Sequence, residues 1–120
     1  MTTGEAQVAH KQLQEKLLRD STGNGDTRYL VLLDEMRALH IKKSADYGAG
    51  EDALANLRGS ENIGIPAWLG AWIRAKDKVH RIDAFAKKRE LANESVEDSL
   101  MDLAAYSLLT IILLREATKP

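Results

Sequence analysis

The sequence predicts an all-α fold: an antiparallel four-helix bundle-like core with a short helical insert, assembled as an oligomer. Ala, Leu, Glu, Lys and Arg dominate, and these are good helix formers. The alternation of β-branched residues that marks strands is almost missing, and proline occurs only at Pro66 and Pro120. The length of 120 residues suits one domain. Residues 1–26 read as an N-terminal helix and turn, and 27–117 as the core.

The first helix is expected from about Glu5 to Arg19. Ser21 to Asp26 (STGNGD) follows as a turn, with Gly and Asn at the tight backbone angles. The second helix spans about Thr27 to Ala45, with Leu32, Met36 and Leu39 in its 3.6-residue period. Tyr47-Gly48-Ala49-Gly50 ends it. Glu51 to Arg58 is expected as a short helix or turn, and Gly59 to Ile65 as a loop. Pro66 suits the first position of a third long helix. That helix places Trp68, Trp72, Ala75, Val79 and Ile82 on an apolar stripe. Arg74, Asp77, Lys78 and Arg81 lie together on another side. A break near Lys88 to Asn93 precedes the fourth helix, about Ser95 to Ala117. This last helix is apolar nearly all round. Such a helix belongs in a core or an interface, and 120 residues supply little core to cover it, so an oligomer is expected.

One acid interrupts that helix. Ser99 to Leu114 is sixteen residues carrying a single charge, Asp102. A buried charge needs a partner or a ligand. Glu94, Glu97 and Asp98 precede it. Glu94, Asp98 and Asp102, spaced by four, fall on one helix face, where like charges repel unless a cation joins them. Mg²⁺ takes such oxygen ligands and can orient a diphosphate or activate a water. Acids at a helix start also favour the helix dipole without any metal, and the plainer reading of Asp102 is a structural salt bridge with Arg74 or Arg81.

Two basic sets complete the candidates. Lys42 and Asp46 share one face and Lys43 and Tyr47 the next. The lysines suit phosphate oxygens, Asp46 an opposing metal ligand, and Tyr47 a base. Arg74, Asp77, Lys78 and Arg81 form a compact face on which Arg can clamp phosphate. Both sets also read as ordinary charged helix surface. Glu35, Leu39, Lys42 and Asp46 form a continuous stripe, which makes Glu35 a better inward candidate than Asp34. The polar segment Leu57 to Asn62, with Arg58, suits closure over a ligand. The histidines His10, His40 and His80 lack metal-site spacing, and His40 is expected to pack on a helix face. Trp68 and Trp72 read as core or interface anchors.

Composition excludes several classes. Seventeen basic and eighteen acidic residues give a net charge of −1, which gives no support to duplex nucleic acid as a partner. The longest uncharged runs, Asn62 to Ile73 and Leu103 to Leu114, have twelve residues each, too few to span a membrane. MTTGEAQ lacks a signal-peptide pattern, and Cys is absent. A cytoplasmic protein is expected.

Four stretches occur in order: KKSADYG (Lys42 to Gly48), DALANLR (Asp52 to Arg58), RAKDKVHRI (Arg74 to Ile82) and NESVEDSLMDLAAY (Asn93 to Tyr106). Together they resemble the phage and bacterial nucleotide modification associated domain 1 family, grouped with the all-α nucleoside triphosphate pyrophosphohydrolases of the MazG and dimeric dUTPase type. The resemblance spans about Leu32 to Leu114. It implies nucleotide as ligand, Mg²⁺ as cofactor, helical assembly and, if phage-encoded, the host cytoplasm. The broader group binds Mg²⁺ through two acidic pairs. The later pair maps onto Asp98 and Asp102, with Glu94 or Glu97. For the earlier pair, no E-x-x-E occurs in the second helix, where Asp34 and Glu35 are adjacent, which leaves Asp46 or Asp77. The leading expectation is Mg²⁺-dependent cleavage of a nucleoside triphosphate or related nucleotide between its α and β phosphorus atoms. Glu97, Asp98 and Asp102 would be catalytic, with Lys42, Lys43, Tyr47, Arg58, Arg74, Lys78 and Arg81 on the nucleotide. The missing E-x-x-E favours the alternative of binding without turnover. A structural helical oligomer is the third reading.

Overall fold

The computed structural model describes the backbone of residues 3–22, 25–47, 52, 54–88 and 95–119, and the side chains of all of these except 18–22, 46 and 47. Among the described residues the chain is helical and contains no strand. In order come α1 (Thr3–Thr22), α2 (Thr27–Tyr47), a 3₁₀ segment η1 (Ala55–Ile63), α3 (Ala67–Lys88) and α4 (Val96–Ala117). No helix among these residues is long and apolar enough to cross a membrane. The chain divides into two compact units, 1–41 and 42–120, and the boundary falls inside α2.

In the first unit, α1 runs three residues past the expected Arg19. Asp26 starts α2. Its carboxylate accepts from the backbone N–H of Arg28 at 2.8 Å, satisfying one of the unpaired donors at the helix start. The Arg28 guanidinium closes on the same carboxylate at 2.8 and 3.2 Å. These bonds, led by the Arg28 side chain, lower the Asp26 pKa to about 2. Gln14 of α1 donates to Asp34 of α2. Asp34 and Glu35 are both exposed, so the inward stripe expected through Glu35 and Leu39 does not form. Val31 is the buried position of this unit.

The second unit is built on α3 and α4, which pack along most of their length, with η1 against α3. Ala67 lies near Leu113 and Lys78 near Asp102, so the two helices run antiparallel. The α3 seam is Ala67, Ala71, Ala75 and Lys78, with the three alanines buried. It is rotated from the expected stripe: of that stripe Ala75 is buried and Trp68 packs on the core, whereas Trp72 and Val79 are exposed. The reason is size. Alanine ends at Cβ and lets α4 approach closely, whereas tryptophan would hold it off. The α4 seam runs through Ser99, Asp102, Tyr106, Leu109 and Leu113 at helical spacing. Ser107 and Thr110 donate their hydroxyls to carbonyls one turn back, at 2.8 and 2.7 Å.

The opposite side of α4 is bare. Leu100, Leu108 and Ile111 are 47, 50 and 44% exposed. At about 100° per residue they sit across the helix from the seam. Ser95 caps α4, its Oγ accepting from the Asp98 N–H at 3.0 Å. The segment expected as a loop from Gly59 is instead 3₁₀ helix to Ile63. Leu57, buried on α3, anchors it, and Gly64 ends it at φ 79, a left-handed conformation that glycine adopts without strain. Its short turns carry too little periodicity to show in sequence.

Candidate functional site

Asp102 is the centre of the site. Lys43, near the end of α2, donates its ammonium to one carboxylate oxygen at 3.2 Å. Lys78 of α3 brings its Nζ to 3.1 Å from the other. Three helices thus meet at one carboxylate. The Asp102 side chain is 21% exposed, Lys78 15% and Lys43 56%. Their sequence separation is large, 59 residues between Lys43 and Asp102. The salt bridge anticipated for Asp102 therefore exists, but its partners are lysines rather than arginines.

Lys78 also departs from the basic face on which it was placed. Arg74, Asp77 and Arg81 are exposed, and Asp77 pairs with Arg81 at 3.2 Å. Lys78 turns the other way, into the α3–α4 seam. Lys42 is exposed. Glu94 and the side chains of Asp46 and Tyr47 lie outside the described residues. His10, His40 and His80 are all exposed, so His40 does not pack on a helix face as expected.

Among the described residues the acids do not gather. Asp98 lies one turn before Asp102, about 40° from it around the helix, while Glu97 is about 140° away and exposed. Among the described residues no three His, Cys, Asp or Glu side chains come together in a metal-binding group. Both oxygens of Asp102 face ammonium groups. No buried side-chain nitrogen or oxygen among these residues lacks a partner. This donor set leaves Lys43 exposed to solvent beside Asp102. It does not fit a bare divalent cation on Asp102, which would meet two positive charges first.

Arg58 stands apart from this centre. Its Nε donates to Asp52 at 2.6 Å, and its Nη1 and Nη2 donate to the two oxygens of Glu116 at 2.7 and 3.3 Å. Glu116 is fourteen residues beyond Asp102 on α4, about 21 Å along the helix. Hydrogen bonds from Arg58 hold the Glu116 and Asp52 carboxyls below their usual pKa values. Glu116 first, then Asp52, raises that of Arg58. Beside this clasp lies a pocket of about 330 Å³ lined by Arg58, Glu61, Trp68, Leu113 and Glu116, among others. Arg58 was grouped with the phosphate ligands. The structure places it at the far end of α4, tying η1 to that helix. Glu116 carried no signal in sequence, since nothing in the spacing couples residues 58 apart.

No family model, curated protein or solved structure matches the chain.

Proposed function

We propose that this chain is a nucleotide-binding protein of the all-α pyrophosphohydrolase kind, receiving the phosphates of a nucleoside triphosphate or related nucleotide at Lys43 and Lys78. The supporting observation is the convergence of these two ammonium groups, from two helices, on one half-buried carboxylate. An ammonium has three donors, and Lys43, at 56% exposure, can meet phosphate oxygens beside Asp102. Arg74 stands exposed one turn from Lys78 on α3. The order of the four sequence stretches supports the same reading. The bare side of α4 supports assembly through that helix, with a four-helix core completed in the oligomer. Cleavage between the α and β phosphorus atoms is the fuller form of the proposal, and the acidic residues available for it are Asp98, Asp102 and Glu97. The described donor set fits phosphate binding better than it fits metal-dependent turnover, so binding is the part we place first.

A second reading has the same observation in its favour. Lys43, Asp102 and Lys78 suffice as a structural tie that joins three helices. One experiment separates the readings. The protein is incubated with a panel of nucleotides, with and without Mg²⁺, then isolated and denatured, and the released molecules are identified by mass spectrometry. A retained intact nucleotide, lost in Lys43→Met/Lys78→Met, supports binding. Monophosphate with pyrophosphate supports the hydrolase. Neither product nor retention leaves the structural tie and refutes the proposal.

A further inference from the structure

We propose that the pocket beside Arg58 is a binding site for a small organic cation with an apolar body, an alkylguanidinium or alkylammonium. The pocket lies at the other end of α4 from Asp102, and the proposal does not depend on the nucleotide reading. Its volume, about 330 Å³, falls within the range of small-molecule sites, about 300–1,000 Å³. Its walls are tied in place. Ser60 sits so close to α3 that a Cβ at Gly70 would meet its Oγ at 2.8 Å. The backbone N–H groups of Gly64 and Ile65 donate to the carbonyls of Glu61 and Ser60 at 3.1 and 3.0 Å, which fixes the turn that leads into Pro66. On the α4 side, Arg58 holds Glu116 through two hydrogen bonds. The chemistry of the lining then selects the ligand. Arg58 already donates to Asp52 and Glu116. An anion would have to compete with these carboxylates and would meet Glu61 as well. Glu61 is exposed, and its carboxylate has no partner among the described residues. Three carboxylates, those of Asp52, Glu61 and Glu116, stand against the guanidinium of Arg58 and the ammonium of Lys119, which acts on Glu116 through space. The balance is negative. Trp68 lines the same space, partly buried and packed on the core. An indole attracts a cation to its face, and a guanidinium is weakly hydrated and gives up its water readily. Pro66, Ala67 and Leu113 offer an apolar surface to an alkyl chain. A free carboxylate, an indole and an apolar wall in one cavity therefore suit a cation that carries hydrocarbon.

The test uses butylguanidinium and butylurea, which share a shape and differ in charge, on the full chain. The indole N–H resonances are followed by nuclear magnetic resonance, and Trp72→Phe identifies the signal of Trp68. Butylguanidinium should shift that signal saturably in the millimolar range and bind about tenfold more tightly than butylurea. Glu61→Gln, at an exposed residue, should weaken butylguanidinium about threefold and leave butylurea unchanged. Pentanoate, an anion of similar length, should leave the Trp68 signal in place. Equal affinity for butylguanidinium and butylurea overturns the proposal, because charge would then not select the ligand. The absence of a saturable shift with butylguanidinium overturns it too, as does a Glu61→Gln chain that binds this cation as well as the unaltered chain does. Pentanoate binding ahead of butylguanidinium would reverse the sign of the site and overturn it as well. None of these outcomes bears on nucleotide binding at Lys43 and Lys78.

Discussion

Lys78 of α3 and Asp102 of α4 stand 3.1 Å apart inside the seam between their helices, at 15 and 21% exposure. An alanine ladder on one side and Tyr106, Leu109 and Leu113 on the other lead up to this pair. The pair thus follows an apolar stretch of the interface, and buried Ser99 continues the α4 seam beyond it. Its two members are not equivalent to Lys43, which reaches the same carboxylate from a more solvated position.

That difference predicts an asymmetry in stability. Removing Asp102 takes an acceptor from a mostly buried ammonium, and Asp102→Leu should cost about 1–3 kcal/mol. Lys43→Met removes an exposed partner and should cost less than about 1 kcal/mol. Urea denaturation of the two variants measures both values. Equal losses would mean that burial does not govern the centre.

Gly70 predicts a sign reversal. A Cβ there would meet Ser60 Oγ at 2.8 Å and Ser60 Cβ at 3.0 Å. In a free helix Gly→Ala gains about 1 kcal/mol. Here overpacking should outweigh that, so Gly70→Ala should destabilise by about 1 kcal/mol. With Ser60→Gly in place the clash is removed, and Gly70→Ala should then stabilise relative to that background. A thermodynamic cycle of the four chains tests it.

Ser95 predicts a local effect. Its Oγ satisfies the Asp98 N–H, so Ser95→Ala should cost about 1 kcal/mol, and Ser95→Asp should retain most of the stability. Hydrogen exchange in the first turn of α4 should rise in the alanine variant alone.

The Arg58 clasp predicts a pH window. Glu116 and Asp52 have folded pKa values below their unfolded ones, which are about 4.3 and 3.9. Carboxyls lowered in this way stabilise fully above the unfolded values and lose that contribution as pH falls through the folded ones. The stability difference between the unaltered chain and Arg58→Gln should therefore stay constant from about pH 7 to 5 and shrink below about pH 4. A gap that widens on acidification would reverse the assigned direction.

Much of the helical order was legible in sequence because it rests on local rules. Pro66, Ser95 and the apolar run after Asp102 set the starts and course of α3 and α4, and observed ends fall close to expectation. The face of α3 was misjudged because hydrophobicity alone favours tryptophan over alanine, whereas close helix packing favours alanine. The importance of Asp102 was readable as a charge in an apolar stretch. Its partners were not, since Lys43 lies 59 residues away and Lys78 looked like part of a solvated basic face. Arg58 shows the same limit. Its type suggested phosphate, but a long-range pairing with Glu116 determined its place. The η1 segment escaped because a 3₁₀ run repeats over too few turns to leave a period.

The clasp also bears on how the chain is made. Arg58 is translated 58 residues before Glu116. Through that interval its available partner within the clasp is Asp52, six residues upstream. Asp52 can hold the guanidinium in position early, and Glu116 arrives to a partner already aimed. On this order of events Asp52→Asn should slow refolding, while Glu116→Gln should chiefly hasten unfolding. Stopped-flow rates of the two variants would show which carboxylate is the nascent chain's placeholder and which is its final latch.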